Sequence, residues 1–243
     1  MGVDIGKRLM ANRKPYNMKR VSALHNTFMF SLSLYMVIET MTQAWINFNW
    51  GDNLRPWGNV TESGAKFSPS GYRLARVIWI HYISKAYEFV DTLIMILRKN
   101  ERQITFLHVY HHASTFFPCW WSATNFAPGG DVYFICALNS FVHVLMYGYY
   151  LATCLGWKAP QVIKKSITTV QMVQFALLNF QAFYGVFWAT WYRPRIVVVL
   201  AIIQSVVFMC LFYNFMRKAY SGTKQRSHPK IIVEDSGVGV KDE

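Results

Sequence analysis

Apolar stretches of about twenty residues or more, each long enough to cross a bilayer as a helix, recur at about 22–47, 72–97, 104–126, 131–155, 162–190 and 194–216. The pattern predicts an all-α fold, a polytopic transmembrane helix bundle with six spans. The polar connections alternate in charge. Residues 1–20 carry Lys7, Arg8, Arg13, Lys14, Lys19 and Arg20. The 98–103 connection, the one with Lys158, Lys164 and Lys165, and the tail from Arg217 onward are also basic. The 126–131 connection has no Lys or Arg. The positive-inside rule then puts both termini and the connections near 100 and 160 in the cytosol. Arg193 and Arg195 run against this pattern and read as interfacial snorkellers. The 48–71 loop becomes lumenal, and its sequon Asn59-Val60-Thr61 makes Asn59 a glycosylation candidate on that side.

The expected organisation is a basic cytosolic segment at 1–21, one transmembrane domain at 22–217 and a polar, disordered cytosolic tail at 218–243. Met1–Arg20 is too polar for a cleavable signal peptide, and no internal repeat is visible.

Composition agrees. The chain is 53% hydrophobic and only 15% charged, against about 25% charged in a soluble domain. Its net charge of +13 sits between the apolar stretches, which points to anionic groups at a membrane face and not to nucleic acid. Cys119, Cys136, Cys154 and Cys210 stand singly, with no CxxC, and read as small buried hydrophobes.

Polar residues inside the apolar stretches carry the candidate chemistry. Three of the seven histidines fall in Phe106-Leu107-His108-Val109-Tyr110-His111-His112. His108, His111 and His112 share about a 100° arc of one helix face. Imidazoles at membrane depth mark a functional site, unless they serve only as hydrogen-bond partners between helices. The second stretch carries His81, Lys85, Glu88, Asp91 and Thr92 within roughly 120° of a helical wheel. Lys85 and Glu88, at i and i+3, can pair; Asp91 needs another partner, and a neighbouring imidazole is the candidate. The bland alternative is an ion pair that glues helices. The fourth stretch has Asn139, His143, Met146, Tyr147 and Tyr150 on one stripe, and the fifth has Thr168, Gln171 and Gln174.

Measured along their helices, His108–His112, Asp91, His143 and Gln171 all lie roughly 6–15 Å from the cytosolic end. That common depth predicts one polar chamber in the cytosolic half, with largely apolar lumenal halves to sheath a long tail.

Metal binding and nucleophilic chemistry both suit such a cluster. The HxxHH spacing is that of His boxes in membrane desaturases and hydroxylases. A di-iron centre of that kind needs more ligands than His81, His108, His111, His112 and His143 provide, with His25 near a helix start and His228 in the tail. A three-His zinc site stays open as a minor alternative. A cysteine nucleophile is a further rival, since Cys119 lies seven residues after His112 and Cys136 seven before His143. A small proton-coupled transporter would also use intramembrane His, Lys and Asp, but would spread them on both sides of the midplane.

Four ordered motifs decide among these. Lys85-x-x-Glu88-x-x-Asp91-Thr92, His108-x-x-His111-His112, Asn139-Ser140-Phe141-Val142-His143-Val144-x-Met146-Tyr147 and Thr168-x-x-Gln171-x-x-Gln174-Phe175 resemble, in order, the boxes of the ELO family of fatty acid elongases. The resemblance runs from about residue 10 to 217. Family members look like seven-helix bundles, and this chain opens on the basic stretch that would follow the first helix. The resemblance implies a multi-pass endoplasmic-reticulum enzyme that condenses acyl-CoA with malonyl-CoA to 3-oxoacyl-CoA, CO2 and CoA, with neither metal nor cofactor. It implies His111 as nucleophile through an acyl-imidazole, with His143 as second contact to the acyl carbon or acid–base partner. His108 and His112 would orient His111 or stabilise developing negative charge. Asp91 would fix an imidazole tautomer, and Lys85 and Glu88 would shape the site. Thr92, Asn139, Tyr147, Gln171 and Gln174 are the substrate-binding candidates, and flanking Lys and Arg would meet CoA phosphates. The implied partners are membrane lipid and the ketoacyl reductase, dehydratase and enoyl reductase of the elongation cycle; a homodimer is left open. Gln103 and Tyr110 resemble the polyunsaturated-acyl branch. The tail ends Val240-Lys241-Asp242-Glu243, without the dilysine retention signal common in the family.

Overall fold

The computed structural model describes residues 2–47, 68–127, 132–187 and 195–221. Asn59, Arg193, His228 and the tail beyond 221 lie outside the described residues. The elements are α1 (Gly2–Met10), α2 (Lys19–Asn47), α3 (Pro69–Tyr87), α4 (Phe89–Leu97), a 3-10 turn at Glu101–Gln103, α5 (Phe106–Asn125), α6 (Val132–Cys154), α7 (Gln161–Phe187) and α8 (Arg195–Ser221). No strand occurs among the described residues. Local signals set several of the ends. Ser68 caps α3 by accepting from the Gly71 N–H at 2.9 Å, with Pro69 following in the first turn. Thr105 caps α5 through the His108 N–H at 3.2 Å, which fixes where the His box enters its helix. At the end of α6, Gly156 takes φ +111°, and the Gly156 and Trp157 N–H groups return to the Thr153 and Ala152 carbonyls. That left-handed closing turn is open to glycine without strain.

Six helical units (α2, α3–α4, α5, α6, α7 and α8) form a closed ring. Going round it, α2 packs on α3, α3 on α5, α5 on α8, α8 on α7, α7 on α6 and α6 back on α2, with α3 also touching α6 across the middle. Consecutive helices are neighbours within α2–α3–α5 and within α6–α7–α8; α5·α8 and α2·α6 are the two seams. Lys19–Ile46, Val132–Cys154 and Val198–Ala219 are long and apolar enough to span a membrane by length and composition alone. The α3–α4 unit, α5 and α7 hold the intramembrane Lys, Glu, Asp, His and Gln of the predicted site, which lowers their hydropathy. Large apolar side chains such as Leu24, Ile38, Trp45, Phe106, Phe180 and Ile196 face outward, as a lipid-facing belt requires.

The N-terminal basic segment contains a helix, α1. Gly6 of α1 rests against Ile96 of α4 so closely that a Cβ there would stand 3.0 Å from its Cδ1. The Tyr16 N–H bonds the Leu97 carbonyl at 3.0 Å, and Lys99 Nζ bonds the Ala11 carbonyl at 2.9 Å. The second expected span is two helices, not one. Glu88 interrupts it, and the Asp91 N–H turns to the Glu88 carbonyl, three residues back, at 3.1 Å. The helix halves at the end away from Lys19, expected to be largely apolar, are less so. Thr40 and Gln43 of α2 are buried at the end away from Lys19, and Asn179 of α7 donates to the Phe175 carbonyl and to Ser205 Oγ of α8, both at 3.0 Å. With no water in the bilayer, such groups join neighbouring helices by satisfying one another.

Pro118 lies inside α5 and has no N–H to offer the Ser114 carbonyl one turn earlier. Gln204 Nε2 of α8 donates to that carbonyl instead, at 2.9 Å. The bond crosses the α5·α8 seam.

Candidate active site

Glu88 is the hub. The helix break sets its carboxylate in the middle of the ring at zero exposure, and three cations or potential cations surround it. Lys85 Nζ donates to Oε1 at 2.8 Å. His143 Nδ1 lies 3.3 Å from the same oxygen, and His112 Nδ1 lies 3.4 Å from Oε2. Lys85 also donates to Asn139 Oδ1 of α6 at 2.6 Å. A buried ion pair persists only when further polar groups serve both ions; Asn139 accepts from Lys85, and the two imidazoles stand within ion-pair distance of Glu88, whose Oε2 has no hydrogen-bond partner. The Lys85–Glu88 contact is the i, i+3 pair read from the sequence, and Asn139 is the partner the sequence did not assign.

Asp91 forms a second carboxylate centre beside the first. Tyr147 donates to its Oδ2 at 2.6 Å, and His25 Nε2 lies 2.8 Å from Oδ1. An imidazole does partner Asp91, but it comes from α2 and not from the His box. Proximity to a helix start argues against His25 as a site residue; the structure corrects this. His25 is 4% exposed, stacks on Tyr87 with ring centroids 5.4 Å apart and meets the edge of Tyr147 at 6.0 Å. A signal was present. Of the buried polar residues of α2, Ser22, His25, Asn26, Ser33, Thr40 and Gln43 recur at helical spacing along one stripe, while Glu39 lies off it and pairs with Arg73; this is an inverted amphipathic pattern whose polar side faces the ring interior.

The His box divides its work. Thr92 of α4 and His108 Nε2 are 2.8 Å apart, so Thr92 holds a histidine. His108 and His112 lie together with centroids 4.5 Å apart. His111 stands edge-on to His112 at 5.3 Å and against Phe208 of α8 at 5.0 Å, with Phe212 at 6.4 Å. Among the described residues no side chain hydrogen-bonds the His111 ring, whereas its backbone carbonyl accepts from Thr115 Oγ1 at 2.8 Å. Opposite, His143 packs on Tyr147 with centroids 5.6 Å apart.

Not every candidate converges. Gln171 Nε2 approaches Met146 Sδ at 3.9 Å and Thr168 bonds back to the Lys164 carbonyl. Gln174 is buried, but no hydrogen bond joins α7 to the histidine cluster among the described residues. His81 is buried behind Lys85 with Nδ1 unpartnered. Among the described residues no group of three His, Cys, Asp or Glu is placed to hold a metal ion. The imidazole nitrogens instead face Glu88, Asp91 and Thr92. Cys119 and Cys136 are free thiols, and Cys136 Sγ lies 3.4 Å from Thr40 Oγ1.

A ring of apolar helices around buried His–carboxylate pairs defines a polytopic membrane protein with a polar interior. The chain belongs to the ELO family: the model of that family, described as the GNS1/SUR4 family, matches residues 1–228. It is similar to very long chain fatty acid elongase 1 of Homo sapiens, 33% identical over 98% of this chain and 83% of that protein. Very long chain fatty acid elongase 5 of Mus musculus is 37% identical over 94% of this chain and 74% of its own length. The protein of that name from Tachysurus fulvidraco is 37% identical over 94% and 75%. The desaturase, hydroxylase and transporter readings give way to this family.

Proposed function

We propose that this protein is a fatty acid elongase, an acyltransferase that condenses acyl-CoA with malonyl-CoA in the endoplasmic reticulum membrane. The observation that carries the mechanism is the His111 ring. Of the box histidines, His108 is tied to Thr92 and His112 faces Glu88, while His111 keeps its ring nitrogens free beside an aromatic wall. A free imidazole nitrogen attacks the thioester carbonyl, the CoA thiolate leaves and takes up a proton, and an acyl-imidazole forms. Malonyl-CoA then loses CO2, and the electron pair of the broken bond makes the enolate carbon that attacks the acyl carbon. The imidazole departs and 3-oxoacyl-CoA is released. Lys85, positive and buried, together with His143 and His112 on Glu88, supplies a fixed field for the negative charge that develops on the thioester and enolate oxygens.

Polyunsaturated acyl chains are the substrates proposed. Gln103 and Tyr110 support this; Gln103 accepts from Asn100 Nδ2 at 2.7 Å at the approach to α5, and Tyr110 packs against Phe208 at 5.8 Å. The reductases and dehydratase of the elongation cycle are the proposed partners, together with membrane lipid.

Incubating the protein with acyl-CoA alone tests the proposal. Free CoA should appear before malonyl-CoA is added, and the acyl mass should map to a histidine in the 108–112 segment or to His143. His111→Ala should lose both the adduct and condensation. An adduct on a cysteine, or one that persists in His111→Ala, reassigns the nucleophile.

A further inference from the structure

His25 lies outside the four motifs, yet it is built into the site. Its ring is held on three sides: stacked on Tyr87, edge-on to Tyr147 and 2.8 Å from Asp91 Oδ1 through Nε2. Its Nδ1 is buried and has no hydrogen-bond partner. A carboxylate can only accept, so Nε2 carries the proton and His25 donates to Asp91. The other oxygen of Asp91 accepts from Tyr147, whose ring is fully buried and packs on His143. The chain of contacts therefore runs from α2, through α4, to the α6 histidine that faces Glu88.

We infer that His25 is a positioning residue for condensation: by donating to Asp91 it fixes the carboxylate that holds the Tyr147 hydroxyl, and so sets the ring against which His143 is placed. Without the Nε2 donor, Asp91 keeps Tyr147 as its one described side-chain donor and its carboxylate is free to turn. Tyr147 can then follow it, and His143 loses a fixed neighbour. The chain of contacts ends on the His143 ring, so the chemical step should slow more than substrate capture. A purely structural His25 would act through its stack on Tyr87 and through packing, which a ring without a donor preserves.

The inference rests on the condensing activity proposed above, and the test separates the two. Full-length protein in microsomes or detergent is assayed for condensation of malonyl-CoA with acyl-CoA as wild type, His25→Phe, His25→Gln, Tyr147→Phe and His25→Phe/Tyr147→Phe. His25→Phe keeps the ring and removes the donor; His25→Gln keeps a donor at similar reach. His25→Phe should lower kcat on the order of tenfold, the weight of one hydrogen bond to a charged group, with KM changed little. His25→Gln should recover most of that loss. The double variant should be no slower than the worse single variant, because both substitutions break one chain of contacts. An inactive wild type overturns the condensing activity and with it the inference. An active wild type with His25→Phe unchanged, with His25→Gln as slow as His25→Phe, or with losses that multiply in the double variant overturns the inference alone. If His25→Phe does not fold, the His25→Gln and Tyr147→Phe rates decide: a His25→Gln slower than Tyr147→Phe overturns it.

Discussion

Gln204 of α8 donates to the carbonyl of Ser114 in α5 at 2.9 Å, the acceptor that Pro118 leaves without its helical partner. The two residues are ninety positions apart in sequence, and the bond repairs a defect that lipid would not tolerate.

Gln204→Leu should therefore destabilise the protein by about 1–3 kcal/mol, the usual consequence of a buried acceptor left unpaired. Pro118→Ala restores an N–H one turn along α5 and should return most of that loss in the double variant. Thermal unfolding in detergent measures both. Equal and additive losses from the two substitutions would contradict the repair.

Lys85 and Glu88 share almost no exposure and form a direct ion pair. Lys85→Met alone leaves a buried carboxylate unpaired and should lower stability by about 3–5 kcal/mol. Lys85→Met with Glu88→Gln removes both charges and should recover much of the stability while condensation stays lost. Comparing unfolding temperature with activity separates the structural part of the pair from its electrostatic part.

Cys119→Ala and Cys136→Ala should keep condensation within a few-fold of wild type, since each removes packing and, for Cys136, a weak contact to Thr40. Steady-state rates at saturating acyl-CoA check this. Loss of the acyl adduct in either variant would make a thiol the attacking group.

Products read by gas chromatography after cells expressing the chain receive a panel of fatty acids should show elongation of polyunsaturated chains ahead of saturated ones. Elongation confined to palmitate would remove the substrate preference and leave the condensing chemistry untouched.

Much of this arrangement was legible in the sequence because it is local. The i, i+3 spacing of Lys85 and Glu88 and the i, i+3, i+4 spacing of His108, His111 and His112 fix shared helix faces before any tertiary contact forms. The break at Glu88 was not legible, because no Gly or Pro marks it and the helical spacing of the polar residues runs on across it. Long-range partners were hidden for a different reason. That Asp91 needs a donor follows from its burial, but only the ring order puts α2, and so His25, beside it. The polar stripe of α2 was there to be read; its apolar outer face drew attention to the span and away from the interior. Likewise α7 shares the depth of the cluster without sharing its hydrogen bonds, which depth measured along a helix cannot tell.

The ring order also bears on biosynthesis. His111 belongs to α5, while the aromatic wall it rests on, Phe208 and Phe212, belongs to α8, which is translated well after it. Until α8 docks, the α5·α8 seam stands open and the Ser114 carbonyl has no donor. A nascent chain lacking α8 would carry all four motifs and yet present the His111 imidazole to lipid on one side. Synthesis and docking of α8 is thus the step that encloses the His111 ring, and a polypeptide stopped before residue 195 would leave the Ser114 carbonyl without its donor.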